Sequence, residues 1–155
     1  MFCLNRILKT VPDDVEIFII GNNVNSSDLD IEISNPRCNY YKVYQNIQYP
    51  KALNLSVEMC AGEIITFVDE DIFVWDGWYE ALLNTFLSSD KIGVVGAKLI
   101  NPLNNRILDF GIMYSKYNAA HTMMGLLYNH PLAADDHCVQ TVCSAIMMTT
   151  KTLYK

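Results

Sequence analysis

Glu63–Ile64–Ile65–Thr66–Phe67–Val68–Asp69–Glu70–Asp71 decides how the rest of the chain is read. β-Favouring, mostly apolar residues run here into two aspartates that flank a glutamate. A run that short, rich in Ile, Val and Phe and preceded by Ala61–Gly62, reads as a buried parallel strand. Its carboxylates emerge at the strand's C-terminal end, where open α/β sheets place their ligand crevice. Two carboxylates two residues apart can share one divalent cation and hold it against a phosphate.

Upstream of that strand, residues 50–62 give the clearest helix. Pro50 suits the first helical position and Gly62 the C-terminal cap. Leu53, Val57 and Cys60 form its apolar stripe. Lys51 and Asn54 share another face in the first turn, where the helix N-terminus already favours anions. Each also fits an ordinary solvated side chain. Further upstream, Leu4, Ile7 and Leu8 are spaced for a helix that stops before Pro12. Val15 to Ile20 is a buried strand ending at Gly21, and a short strand is expected at Tyr40–Tyr44. Between them, Gly21–Asn22–Asn23–Val24–Asn25–Ser26–Ser27–Asp28 is a polar loop. It suits either a plain βα connection capped by Ser27 or Asp28, or a ligand loop on the same sheet edge as Asp69.

Downstream, Asp76 is the expected N-cap of a second helix, which leaves Asp69 and Asp71 without a capping task. Trp78, in register with Leu82, reads as partly core, although a tryptophan near a sugar site also stacks on sugars. Residues 92–100 make the next strand, and the pair Gly93 and Gly96 signals close packing against it. Residues 101–105 form a turn and 106–114 the returning strand. Residues 115–137 read as a long loop. That loop holds His121, His130 and His137, which show no metal-ligand spacing. A last β-favouring run covers 139–149.

The 155 residues, 51% of them apolar and 18% charged, suit one globular domain, taken as 1–155. A net charge of −6 without any basic run argues against a nucleic-acid partner. No uninterrupted apolar span is long enough for a transmembrane segment. The five cysteines contain no CxxC pair and read as reduced, mostly buried thiols of a cytoplasmic protein.

Taken together these motifs resemble the family 2 glycosyltransferases. Phe67–Val68–Asp69–Glu70–Asp71 matches the family's strand–Asp-x-Asp element. Lys51–Ala52–Leu53–Asn54 with Ala61–Gly62–Glu63 matches the preceding helix. Asp76–Gly77–Trp78, Val95–Gly96–Ala97–Lys98–Leu99 and Ile107–Leu108–Asp109–Phe110–Gly111 match the downstream elements in order. The resemblance implies a GT-A fold: an α/β, Rossmann-like domain with a mostly parallel central sheet flanked by helices, here incomplete, with residues of about 1–100 as a nucleotide-sugar-binding half and about 101–155 as the start of an acceptor-side half. It implies a nucleotide-diphospho-sugar donor, a carbohydrate or other hydroxyl acceptor, and Mn²⁺ or Mg²⁺ held by Asp71 and Asp69. Asn22, Asn23, Lys51 and Asn54 would complete the donor-binding set with the two aspartates.

Gly21 stands where the family has a base-contacting aspartate. The family's opening strand is expected upstream of residue 1, and its general base beyond Lys155, so no catalytic base is assigned. Two functions follow: a metal-assisted glycosyltransferase domain, or an inactive relative that binds nucleotide and metal. An uncovered sheet edge would favour a homodimer.

Overall fold

A computed structural model describes residues 2–24 and 35–155 of the chain, so the capping expected of Ser27 or Asp28 lies outside the described residues. The elements begin with helix α1 (Phe2–Thr10), strands β1 (Ile17–Asn22) and β2 (Cys38–Val43), helix α2 (Tyr49–Met59), strand β3 (Ile64–Val68) and helix α3 (Trp78–Leu87). They continue with strands β4 (Val94–Gly96), β5 (Leu99–Asn101), β6 (Arg106–Asp109), β7 (Ile112–Tyr114) and β8 (Ala119–His121). A 3-10 turn at Pro131–Ala133, strand β9 (Ile146–Thr150) and helix α4 (Lys151–Tyr154) complete the chain. Among the described residues, no helix is long and apolar enough to cross a membrane. Contacts divide the chain into two compact units: Val11–Ile65, and the segment up to Thr10 with Thr66–Lys155.

In the Val11–Ile65 unit, β1 and β2 pair in parallel, from Ile17 opposite Cys38 to Asn22 opposite Val43. Helix α2 packs on β1 and buries Ala52 and Val57. Leu53 and Cys60 of the expected stripe are half-buried. Pro50 sits in the helix's first turn, where its missing N–H costs nothing. Gly62 is not the cap. The helix ends at Cys60, which is extended (φ −71°, ψ 148°) and bonds its N–H to the Ser56 carbonyl. No left-handed residue is used there, so glycine's conformational freedom is not needed.

The second unit is built on a sheet with strand order β3–β9–β4. Strands β4 and β9 run antiparallel, with Val95 opposite Met148. Ile146, Met148 and Val95 meet Val74, Leu82 and Phe86 in a single core, with Ile7 of α1 packed against it. Trp78 also packs on this core, and its indole N–H donates to Thr10 Oγ1 at 2.9 Å, so its role here is structural. The close approach expected at Gly96 is present: a Cβ there would lie 2.6 Å from Val142 Cβ.

Several expectations need correction. The described residues form four small sheets, and of the pairs with a defined register only β1–β2 is parallel. The reason is connection length: a tight turn such as 102–105 returns the chain antiparallel, whereas parallel strands need a crossover. The strand expected over 92–100 is two strands, β4 and β5. The returning strand over 106–114 breaks into β6 and β7 at Gly111, where φ is +95°. The long loop contains β8, paired antiparallel with β7. Asp76 is not an N-cap; Gly77 (φ 79°) takes that position and Asp76 pairs with Arg6 at 2.6 Å. The cysteines are also less buried than expected: none of the five is in a disulfide, four are half-buried and Cys138 is exposed.

Candidate functional site

Strand β3 delivers Asp69 to the end of its sheet, and the neighbouring strand fixes it there. The Asp69 N–H donates to the Ala145 carbonyl at 2.9 Å, one residue before β9 begins. The Asp69 carbonyl accepts from Ile72 N–H at 3.1 Å, which closes a turn over Asp69–Glu70–Asp71–Ile72. The Cys3 thiol reaches the same carbonyl at 3.5 Å. The backbone of Asp69 is thus satisfied by backbone and thiol, and Glu70 and Asp71 stand exposed while Asp69 is half-buried. Burial pushes the Cys3 thiol above its ordinary pKa, and the carboxylates of Asp71, Glu70 and Asp69 act in the same direction.

Beyond the turn the side chains alternate. Val74 is buried and Ile72 packs against the core, while Phe73 and Trp75 face outward. The Arg6 guanidinium lies 5.6 Å from the centre of the Phe73 ring and donates to the Val74 carbonyl. Trp75 meets Tyr128 edge to face, with ring centres 6.2 Å apart.

Because β4 and β9 are antiparallel, the chain leaves β4 and re-enters β9 at one end of the sheet. Ala145 places that end beside Asp69. Residues 97–145 are therefore an excursion rooted at the end of the sheet that carries the acidic turn.

The other expected site residues belong to the Val11–Ile65 unit. Asn22 ends β1, and its side-chain oxygen accepts from Ile47 N–H at 3.0 Å. Its amide nitrogen lies 3.4 Å from Asn46 Oδ1. Asn22 therefore braces the loop that enters α2. Asn23 is exposed and left-handed (φ 65°). Lys51 and Asn54 are exposed in the opening turns of α2, as their spacing required. At Gly21 a Cβ would lie 2.5 Å from Val24 Cγ2 and 2.7 Å from the Tyr40 hydroxyl, so a side chain there would require those two side chains to shift.

The donor set at the acidic turn suits a hard cation completed from outside. Among the described residues, no three His, Cys, Asp or Glu side chains form a metal-binding group. Two carboxylates with phosphate oxygens and water are what Mg²⁺ or Mn²⁺ takes in place of an all-protein cage.

One pairing escaped the reading of the sequence. Asp109, at the end of β6, is buried to 3% exposure, and its Oδ1 lies 2.6 Å from Nδ1 of His121 on β8. Its other oxygen accepts from Gly111 N–H at 3.1 Å. The available signal was an acid set in an apolar run, Ile107–Leu108–Asp109–Phe110–Gly111, because a buried carboxylate requires a partner.

A family model described as glycosyl transferase family 2 matches residues 2–144. The chain belongs to that family, and membership carries the α/β GT-A class with it. No curated protein and no solved structure matches the chain.

Proposed function

We propose that this domain transfers a sugar from a nucleotide-diphospho-sugar to an acceptor hydroxyl, with Asp69 and Asp71 holding Mn²⁺ or Mg²⁺ against the donor's diphosphate. The observation that carries the proposal is the acidic turn itself. Two carboxylates are presented at the end of a strand, on a backbone pinned by Ala145 and Ile72, in a chain of a transferase family. A preorganised pair of this kind loses little on binding a cation, since the turn is already formed.

Asp71, the more exposed of the two, is assigned the direct cation contact, and Asp69 the ribose and diphosphate side. Asn23, Lys51 and Asn54 are assigned to the donor, Lys51 as a positive charge for the phosphates. Asn22 is assigned through the loop it braces. When bound, the cation supplies neutralising charge to the departing nucleoside diphosphate. Without it, the carboxylates would repel the same diphosphate.

Gly21, which offers no side chain to a nucleobase, favours a second reading, in which the domain is an inactive relative that serves as a metal-binding or interaction module. Release of nucleoside diphosphate from a panel of UDP-, GDP- and dTDP-sugars with Mn²⁺ separates the two. Turnover that falls about 100-fold in Asp71→Asn, or about 2.7 kcal/mol of barrier, supports transfer. Equal rates in wild type and variant would remove the acidic turn from the chemistry. We further propose a homodimer through a sheet edge, which light scattering would report as twice the chain mass.

A further inference from the structure

We propose that Trp75 and Tyr128 form an acceptor subsite, a platform on which an uncharged sugar ring of the acceptor stacks. The inference rests on the sugar-transfer reading and names the class of acceptor that the domain takes, a neutral saccharide.

The two rings meet edge to face, with centres 6.2 Å apart and planes at 90°, and both stay in contact with water. Trp75 is 56% exposed and Tyr128 39%. Each also keeps an unused polar handle. Among the described residues, neither the Trp75 indole N–H nor the Tyr128 hydroxyl has a hydrogen-bond partner. Trp78, whose place in the sequence also allowed stacking, differs on both counts: its ring packs on the core and its N–H is held by Thr10. An apolar ring face beside open polar groups is what a sugar ring requires, since its C–H face is apolar and its rim is made of hydroxyls.

The ring contact is not needed as a clasp, because both residues are fixed through their backbones. The Tyr128 N–H donates to the Asn105 carbonyl at 2.9 Å, and its carbonyl accepts from Lys98 Nζ at 3.1 Å. Lys98 Nζ also donates to the Ala133 carbonyl at 2.7 Å, which holds the far side of the same loop. Around Trp75, Arg6 donates to the Val74 carbonyl at 2.9 Å and pairs with Asp76 at 2.6 Å. A platform mounted this way is preorganised, so little freedom is lost when a ring stacks on it.

Two features tie the platform to the acidic turn. Asp71, Phe73 and Trp75 are exposed while Ile72 and Val74 turn to the core, and this alternation sets Trp75 on the same side of the segment as Asp71. Four residues of chain span at most about 14 Å, so the Asp71 and Trp75 backbones are no farther apart than a short run of sugar rings.

Charge selects a neutral acceptor over an ionised one. The cations that brace the platform are already spent, Arg6 on Asp76 and Lys98 on two carbonyls. Exposed Glu70 and Asp71 would repel an anionic acceptor.

The test is titration of the full chain, with Mg²⁺ and UDP or GDP present, by maltose, cellobiose, lactose and N,N′-diacetylchitobiose. The chain has two tryptophans and so two indole N–H signals in a ¹⁵N spectrum, which Trp75→Phe tells apart. At least one saccharide should move the Trp75 signal and leave that of Trp78 in place. By calorimetry Trp75→Ala should weaken binding of that saccharide about tenfold. Trp75→Phe, which keeps a ring, should recover most of it, and Tyr128→Phe should lose about threefold with its hydroxyl. In the transfer assay the loss should appear in KM for the saccharide and not in kcat. A Trp75 signal that no saccharide moves, a shift confined to Trp78, or equal affinity in wild type and Trp75→Ala would overturn the subsite. Weaker binding of UDP or GDP in Trp75→Ala would overturn it too, because the rings would then hold the nucleobase. A wild-type chain that binds saccharide at Trp75 but no nucleotide with Mn²⁺ would instead overturn the sugar-transfer reading beneath it.

Discussion

Asp109 shows what one buried side chain demands of its surroundings. Both its oxygens are occupied, by Gly111 N–H and by His121. Asp109→Ala would leave a buried N–H without an acceptor, at a cost of about 1–3 kcal/mol, measurable as a lower denaturant midpoint with unchanged slope. Cys3 makes a different demand. Its thiol is held above the ordinary value of 9.0, chiefly by burial. Cys38 and Tyr154 are shifted the same way by burial, from 9.0 and 10.0. In each case the folded chain keeps its proton after the unfolded chain has lost it. Their contribution to stability is therefore complete below pH 9.0 and declines as pH rises through the folded values. The melting temperature should fall on the alkaline side, and Cys3→Ala should flatten part of that fall. A melting temperature independent of pH across that range would contradict the assignment.

At the scale of elements, β9 is the strand on which its unit depends. It lies between β3 and β4, and Met148 has no exposed surface at all. Met148→Ala should cost about 2–5 kcal/mol by denaturant unfolding, in line with emptying a closed core site. Gly111 is a second fixed point. With φ at +95° and Val139 where a Cβ would go, Gly111→Ala should disorder the β6–β7 corner and lower the melting temperature. Elements whose signals are local were legible from residues alone: the α2 stripe, Pro50, the β3 run and the glycine at the β4 crossing. What was not legible depends on distant partners. Asp76 reads as an N-cap until Arg6, seventy positions away, claims it. Strand β8 has little β-favouring character in Ala119–Ala120–His121 and exists through its pairing with β7. The Asp109–His121 pair was missed for the same reason, since twelve residues and a strand break separate the two.

At the scale of the molecule, the chain divides into two compact units. Asp69 and Asp71 stand in one, with the Asp109–His121 pair; Asn22, Asn23, Lys51 and Asn54 stand in the other. Five short motifs in family order made the family readable from the residues, and a family match over residues 2–144 shows the chain to belong to it. The acidic turn was readable because an Asp-x-Asp after an apolar run is a local pattern with a chemical reason, although only Phe67 of that run is buried. Calorimetric titration of the chain with UDP and with GDP, in Mn²⁺ and again in EDTA, tests the central claim most directly. The expected result is binding of one of the two nucleotides that needs Mn²⁺ and weakens at least about tenfold, or ~1.4 kcal/mol, in Asp71→Asn. The same affinity with and without Mn²⁺, or in wild type and Asp71→Asn, would contradict it.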